Sequence, residues 1–393
     1  MKKFGPGALV AAAFIGPGTV TVCTVAGVNT GYQLLWVMLI SIFITLILQE
    51  MSLRLGLASK VGLSSAIRKQ ITNRAGRTVS FFIIISAIFI GNAAYEAGNI
   101  AGASLGFQLF MPRENDNSMD LGALVIGVIA FAILWIGKYS IIEKLLIALV
   151  GLMAVCFLYA MLVIAPPIEE VLTGIFFPSI PQGKTLLVLA IIGTTVVPYN
   201  LFLHAATVNE KWRGISDLKE ARTDNLIAII IGGLVSTSII IVAAGASSAI
   251  GEVQNASDLA KGIEPVFGRF SKYGIAVGLM AAGISSAVTA PLAAAYTVTG
   301  LLNDKRLFRP VWIVVLFAGI TSLSLNYRPV IIIQFAQVAN AILLPTVAFF
   351  LLFIVNKTPI MGSQTNGKIQ NALGVFAIVV TLLLSYKAFT SLF

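Results

Sequence analysis

The sequence predicts an all-α polytopic membrane protein, and three observations lead to this fold class. Hydrophobic residues make up 58% of the 393-residue chain and charged residues only 11%, whereas a soluble domain usually carries about 25% charged residues. The mean hydropathy is +0.95. Long apolar runs recur along the whole chain, without the alternating polar and apolar residues of membrane β-strands. A soluble enzyme and a nucleic-acid-binding protein are therefore not expected.

Eleven apolar segments are long enough to be transmembrane helices, because a bilayer core needs roughly 20 apolar residues per helix. The segments are 4–28, 33–56, 78–110, 121–137, 141–165, 185–211, 223–250, 268–302, 309–325, 329–355 and 369–392. The first segment follows a basic N-terminus and has no cleavage site, so we expect a membrane helix there and not a signal peptide. The longest polar stretches are predicted to be loops; they are 57–77, 111–120, 166–184 and 251–267.

The distribution of Lys and Arg predicts how the chain is oriented in the membrane. The formal net charge is +10, from 26 Lys and Arg against 16 Asp and Glu. If the N-terminus is cytoplasmic, 19 of the 26 basic residues fall on or near the cytoplasmic side, as the positive-inside rule expects. They are Lys2, Lys3, Arg54, Lys60, Arg68, Lys69, Arg74, Arg77, Lys138, Lys144, Lys211, Arg213, Lys219, Arg222, Lys305, Arg306, Arg309, Lys357 and Lys368. We therefore expect a protein of the plasma (inner) membrane with an external C-terminus, whose basic excess sets topology.

Two of the eleven segments contain a helix-breaking motif near their middle. The first segment has Gly16-Pro17-Gly18-Thr19, and the sixth has a proline inside residues 193–200. Proline removes a backbone donor and clashes with the preceding turn, and glycine weakens a helix further. Because the two motifs occupy corresponding positions of two five-helix halves, they indicate an inverted-repeat transporter with a site at the bilayer midplane. A simple kink is the alternative for either motif. Half-helices that begin near Gly18 and Tyr199 would point positive dipole ends into that site.

Ionisable side chains at membrane depth are costly and usually functional. Glu96 lies in the third segment, and helical spacing places it on one face with Asn92 and Asn99. We interpret this polar stripe as a proton or cation relay; a neutral Glu96 that only hydrogen-bonds inside the bundle is the alternative. His204, the only histidine, lies beyond the sixth-segment proline, where it is either a titrating member of the relay or a hydrogen bond between helices.

Two further polar features predict contacts between side chains. Glu50 precedes Arg54 by four residues near the end of the second segment, which predicts an ion pair along the helix. Gln337 and Asn340 share a face of the tenth segment, where they either face a cavity or join neighbouring helices.

Several motifs resemble those of the Nramp divalent-metal transporters. Residues 4–24 (FGPGALVAAAFIGPGTVTVCT) look like the first helix of that family, in which GPG is followed eleven residues on by Asp-Pro-Gly-Asn. Residues 194–204 (TTVVPYNLFLH) resemble the sixth helix, typically TVMPHNLYLH. Residues 49–56 are similar to the second helix and 336–345 to the tenth. The resemblance implies a LeuT-type fold with helices 1 and 6 broken. It also implies one transport domain, 1–393, with repeats at 4–165 and 185–355 and an extra helix at 369–392.

The resemblance fails where the family binds its metal. In the family, an Asp and an Asn of the first break and a Met of the sixth helix hold the transition metal; here these positions are Gly16, Thr19 and Val197. The third helix of the family offers an Asp and, three residues later, a Glu for proton movement; this chain has Glu96 and Asn99. Soft sulfur ligands favour Mn²⁺ and Fe²⁺ over Mg²⁺, and a bare divalent ion in low dielectric needs counter-charge. Dehydrated transition-metal transport is therefore not expected.

The candidate substrate-binding residues that remain are neutral. They are Gly16, Gly18, Thr19, Thr194, Thr195, Val197, Tyr199, Asn200 and Gln337. Neutral oxygens can hold a partly hydrated Mg²⁺ weakly, which predicts a secondary transporter of such a cation. The free amides of the two half-helices favour a second hypothesis, a transporter of a small organic solute or anion such as an amino acid or carboxylate.

Other functional classes are less well supported. A sensor or subunit that keeps only the fold would have no use for the helix breaks. Cys23 and Cys156 lie in apolar runs, and no nucleophile–base pair, phosphate loop or metal-ligand spacing occurs. We therefore expect no enzyme and no cofactor. The expected partners are the lipid bilayer and a small ion or molecule, with no nucleic acid, and the chain is expected to be a monomer.

Overall fold

The computed structural model describes residues 15–112, 120–137, 140–322 and 327–390, and the regular secondary structure within these ranges is entirely helical. The α-helices are α1 (Pro17–Thr30), α2 (Leu35–Ser59), α3 (Leu63–Gln70), α4 (Arg74–Gln108), α5 (Leu121–Ile136), α6 (Ser140–Ile164), α7 (Ile168–Phe176), α8 (Thr185–Thr195), α9 (Pro198–Thr207), α10 (Leu218–Gly245), α11 (Ser247–Ile250), α12 (Ala256–Lys261), α13 (Glu264–Phe267), α14 (Phe270–Leu302), α15 (Phe308–Ser322), α16 (Pro329–Val355), α17 (Thr358–Met361) and α18 (Lys368–Thr390). The predicted all-α class is confirmed.

Each predicted membrane segment contains at least one described helix. Within the described residues, eight helical stretches are long and apolar enough to cross a membrane. The other three predicted segments contain the shorter helices α1, α5 and α15, of 14, 16 and 15 residues. The beginning of the first segment, 4–14, and residues 113–119 of the predicted loop 111–120 lie outside the described residues, as do Lys2, Lys3 and Lys138 of the charge analysis.

Three of the four predicted loops are wrong in part, because they contain short helices. Residues 57–77 include α3, 166–184 include α7, and 251–267 include α12 and α13. In α3, Leu63, Ala66 and Ile67 are buried on one side while Arg68 and Lys69 occupy the last turn. Residues 57–77 are polar on average, but they include an amphipathic helix whose apolar stripe packs against the bundle.

Small residues bring the backbones of the central helices close together. A Cβ at Gly102 of α4 would overlap Pro17 at the start of α1, and a Cβ at Gly27 of α1 would overlap the backbone of Ile240 in α10. In membranes, helices associate through such close packing because lipid gives them no hydrophobic drive to do so. As a result, α1 is held between α4 and α10 with its N-terminus at a fixed place.

Candidate substrate site

α1 begins inside the bundle, at the predicted first helix break. Gly16 is the N-cap residue in an extended conformation (φ −82°, ψ 174°), Pro17 occupies the first helical position, and no side chain caps the helix. Proline is favoured there because its missing N–H would have had no helical acceptor. Gly18 and Thr19 in the first turn are buried, so this end of α1 is enclosed by protein.

The second helix break separates α8 from α9 and confirms the prediction for the sixth segment. α8 ends at Thr195, and α9 begins at Pro198. Val197 is extended (φ −82°, ψ 118°), as expected for a residue that precedes proline. The N-terminus of α9 also lacks a side-chain cap.

The two breaks meet each other, and α16 contributes to the same junction. Thr19 Oγ1 lies 2.9 Å from Thr194 Oγ1, which joins α1 to α8 by a hydrogen bond between hydroxyl groups. A Cβ at Gly18 would overlap the side-chain amide of Gln337, and a Cβ at Gly193 would overlap the Gln337 carbonyl oxygen. We call Gly18, Thr19, Thr194 and Gln337 the junction. Motifs more than 140 residues apart in sequence form it.

Three predicted site residues have a buried polar atom without a hydrogen-bond partner in the described part of the chain. The atoms are Oε1 of Gln337, an acceptor, Nδ2 of Asn200, a donor, and the hydroxyl oxygen of Tyr199. A buried polar group without a partner costs roughly 1–3 kcal/mol. The Gln337 oxygen is therefore available to a hydrogen-bond donor or a cation, and the Asn200 Nδ2 group is available to a hydrogen-bond acceptor.

Three of the predicted site residues have other surroundings. Thr195 Oγ1 donates to the Ile191 carbonyl (2.8 Å) and lies 3.6 Å from Met38 Sδ of α2. Val197 and Tyr199 belong to an apolar cluster, in which the Tyr199 ring meets the Tyr95 ring edge-on with centroids 5.3 Å apart. The cluster consists of Tyr95, Val197, Tyr199, Leu203, Ala290 and Ala293. Met38 is a thioether that sequence reasoning missed, because no motif marks it.

No metal-binding constellation is found within the described ranges. They contain no group of three or more His, Cys, Asp or Glu side chains that could hold a metal ion. Cys23 and Cys156 are free thiols and form no disulfide. The junction is therefore polar but uncharged.

The polar stripe of α4 faces α14 and α15. Glu96 is completely buried; its Oε2 accepts a hydrogen bond from Asn99 Nδ2 at 3.3 Å, and its Oε1 has no described protein partner. Asn92 Nδ2 donates to the Ala290 carbonyl of α14 at 3.2 Å. Gly319 of α15 packs directly on Glu96, because a Cβ there would lie 3.0 Å from the Glu96 Cβ.

The structure brings only two of the three predicted relay residues together. Glu96 and Asn99 form a pair, whereas His204 Nδ1 lies 2.7 Å from Gln49 Oε1 of α2. This contact corresponds to the inter-helix hydrogen bond that we considered as the alternative for His204.

The predicted Glu50–Arg54 ion pair is present and belongs to a larger network. Arg54 Nε lies 2.9 Å from Glu50 Oε1, and Arg222 Nη2 of α10 lies 2.6 Å from the same oxygen. Arg54 also donates to Asn366 Oδ1 at 2.6 Å and to the Gln364 carbonyl. This network fastens α2 to α10 and to the segment before α18.

The fold and the junction define a secondary transporter of the broken-helix class, in which helix ends meet inside a bundle of membrane-length helices. The family profile described as "Natural resistance-associated macrophage protein-like" (Nramp) matches residues 7–391. The chain belongs to the Nramp family, and it is an integral membrane protein.

Relatives and solved structures agree with this assignment. The divalent metal cation transporter MntH of Caldanaerobacter subterraneus subsp. tengcongensis is 26% identical over 401 aligned residues, which cover 98% of this chain and 92% of that protein. The manganese transporter of Eremococcus coleocola has a TM-score of 0.81 at 22% identity, covering 99% of this chain and 86% of that one. MhsT, solved in complex with L-phenylalanine, has a TM-score of 0.67 at 17% identity, covering 96% and 98%. These likenesses confirm the LeuT-type fold.

Proposed function

We propose that this chain transports a divalent cation that keeps part of its hydration shell, of which Mg²⁺ is the expected example. The observation that supports this most is the neutral chemistry of the junction. Its side chains offer the Thr19 and Thr194 hydroxyls and the unpartnered Oε1 of Gln337, and none of them is charged. The related MntH is named a divalent metal cation transporter, which supports the cation class.

The physical argument concerns the cost of removing water from the ion. A bare divalent ion in a low-dielectric interior is stable only beside counter-charge, and the junction supplies none. Mg²⁺ gives up its waters reluctantly and usually keeps several of them when bound. Hydroxyl and amide oxygens can hydrogen-bond to those waters, so hydrated Mg²⁺ suits the junction better than dehydrated Mn²⁺ or Fe²⁺, which sulfur ligands favour.

The proposal includes the orientation that the charges predict, with a cytoplasmic N-terminus. In that orientation 19 of the 26 Lys and Arg residues fall on or near the cytoplasmic side, as the positive-inside rule expects. Accessibility labelling of a cysteine introduced at an exposed position of the α14–α15 loop tests the orientation, because we expect that loop to react only from the cytoplasmic side.

The experiment is an uptake screen with the purified chain in vesicles. Mg²⁺, Mn²⁺ and small carboxylates are tested side by side, with and without a pH gradient, and empty vesicles measure the leak. We expect saturable Mg²⁺ uptake that falls in Gln337→Leu, which removes the unpartnered oxygen. Uptake of neither Mg²⁺ nor Mn²⁺ under any gradient would refute the cation proposal.

A specific observation favours a second candidate, a transporter of a small organic anion. The N-termini of α1 and α9 lack side-chain caps, and Asn200 Nδ2 is an unpartnered buried donor in the first turn of α9. Helix N-termini bind carboxylates through free amides and the helix dipole. Amino acids or carboxylates should then raise the melting temperature of the chain, since a ligand stabilises the state that binds it. A screen without any stabilisation would exclude this candidate.

A further inference from the structure

A cavity of about 570 Å³ lies between the end of α14 and the start of α15, away from the junction. Its lining residues are Tyr296, Thr299, Lys305, Arg306, Phe308 and Arg309. Tyr296 and Thr299 come from the last two turns of α14, and the other four come from the connection to α15 and its first residues. The cavity therefore lies where two membrane helices end.

The charge of this cavity is positive. Lys305, Arg306 and Arg309 are exposed, and none of them forms an ion pair with a residue that the structure describes. Two carboxylates lie beside the cavity: Asp304 Oδ1 accepts the Arg306 backbone N–H at 2.9 Å, and Glu210 interacts with Tyr296. Three cations exceed these two anions, and no ion pair within the described residues neutralises any of the three cationic side chains.

Aromatic side chains surround the cations. The Tyr296 and Phe308 rings meet edge-on with centroids 5.1 Å apart. The Arg309 guanidinium lies 5.0 Å from the centroid of the Trp135 ring, which is 52% exposed at the end of α5. Tyr and Trp concentrate where membrane helices reach the lipid headgroups. The cavity thus combines basic and aromatic side chains, the combination that is typical of the headgroup region.

We propose that this cavity binds the phosphate of an anionic phospholipid headgroup. Arginine offers several N–H donors in a planar arrangement that matches phosphate oxygens, and lysine adds a point charge. Basic pockets between membrane helices on the cytoplasmic side have the charge and depth that acidic headgroups need. The positive-inside rule explains why basic residues lie at this end of the bundle, but it does not require three of them to line one cavity.

The test measures lipid binding by the full-length chain purified in detergent. Phosphatidylglycerol and phosphatidylcholine are titrated separately, retained lipid is counted by native mass spectrometry, and the melting temperature is recorded at each step. The pocket variant is Lys305→Gln/Arg306→Gln. The control Arg213→Gln/Lys219→Gln removes the same charge from exposed side chains elsewhere in the chain.

We expect wild type and control to retain phosphatidylglycerol better than phosphatidylcholine, and the pocket variant to lose this preference by roughly tenfold or more. An unchanged melting temperature in phosphatidylcholine shows that the variant folds. Equal retention of the two lipids by wild type, or an equal loss in the control, would overturn the proposal. A third titration uses glycerol 3-phosphate, and stabilisation by it without phosphatidylglycerol binding would overturn the assignment to a lipid.

Discussion

Glu50 and Glu96 are two carboxylates on largely apolar helices, and their surroundings differ in kind. Glu50 is held by two arginines, with distances of 2.9 Å to Arg54 Nε and 2.6 Å to Arg222 Nη2. Glu96 is completely buried and has one described partner, the Asn99 amide at 3.3 Å. The difference shows that a carboxylate near a helix end serves as a fastening when cations reach it. A buried carboxylate without a cation, such as Glu96, fastens no helix in this way, and its predicted role is that of a proton relay.

The largest expected effect is on Glu50. Glu50→Gln leaves the Arg54 guanidinium, whose side chain is 2% exposed, without its counter-charge. Breaking a buried ion pair from one side costs about 3–5 kcal/mol, and the 24% exposure of Glu50 puts the expected loss of unfolding free energy near the lower value. Denaturant unfolding of the purified chain in detergent measures it.

The matched control is Arg222→Gln, which removes the more exposed partner of the same carboxylate. Arg222 is 43% exposed, so its loss should cost less than about 1 kcal/mol. Equal losses in the two variants would contradict the view that the Glu50–Arg54 pair is the essential part of this fastening.

A second prediction places a carboxylate beside the junction, two residues before Gly18. Gly16→Asp puts it at the N-cap of α1, where the backbone is extended and an aspartate is favoured. We expect Mn²⁺ affinity to rise by roughly tenfold or more, because the ion gains counter-charge in a low-dielectric site. Isothermal titration of wild type and variant with Mn²⁺ measures the change.

Gly367→Asp serves as the control for that variant. Gly367 accepts the first helical hydrogen bond, from Asn371 N at 3.0 Å, at the start of α18, and a Cβ there would meet only the Gln370 side chain, at 3.9 Å. The same acid away from the junction should leave Mn²⁺ binding unchanged. A comparable gain in both variants would show that the effect comes from charge in general.

A smaller effect is expected at the hydroxyl contact between the breaks. Thr194→Val keeps the shape of the side chain but removes the 2.9 Å hydrogen bond to Thr19. We expect a loss of unfolding free energy of about 1 kcal/mol and a fall in substrate uptake. The control Thr237→Val removes only a hydrogen bond within its own helix and should leave uptake intact. Equal uptake by the two variants would show that Thr194 does not contribute to the substrate site.

The smallest effect on stability is expected for Glu96. Glu96→Gln retains an oxygen that can accept from Asn99, so the unfolding free energy should change by less than about 1 kcal/mol. If Glu96 relays protons, the pH dependence of uptake disappears in this variant but persists in Arg222→Gln. An unchanged pH dependence of uptake in Glu96→Gln would show that Glu96 does not relay protons and has only a structural role.

Sequence patterns predicted the features that depend on local chemistry. The apolar segments, the break at Pro198 and the Glu50–Arg54 pair four residues apart all follow from spacing along one helix. Contacts between helices do not follow from such spacing: Arg222 reaches Glu50 across 172 positions and His204 reaches Gln49 across 155. These contacts depend on how helices pack, and a single sequence does not report that.

The same limit of sequence-based prediction applies to two adjacent residues at the second helix break. Thr194 and Thr195 are adjacent and were both predicted to line the site, but successive residues of a helix point about 100° apart. Thr194 therefore faces Thr19 of α1, while Thr195 faces Met38 of α2. The family motif located the break and could not decide between its two hydroxyls.

The central claim is that a junction without charge transports a hydrated divalent cation. The most direct test is competition during uptake by the wild-type chain in vesicles: Mg²⁺ flux is measured while Mn²⁺ is added at equal and at lower concentrations. We predict that Mg²⁺ flux persists and that Mn²⁺ inhibits it no better than Mg²⁺ itself does. Strong inhibition by Mn²⁺ far below the Mg²⁺ concentration, together with Mn²⁺ uptake, would contradict the claim.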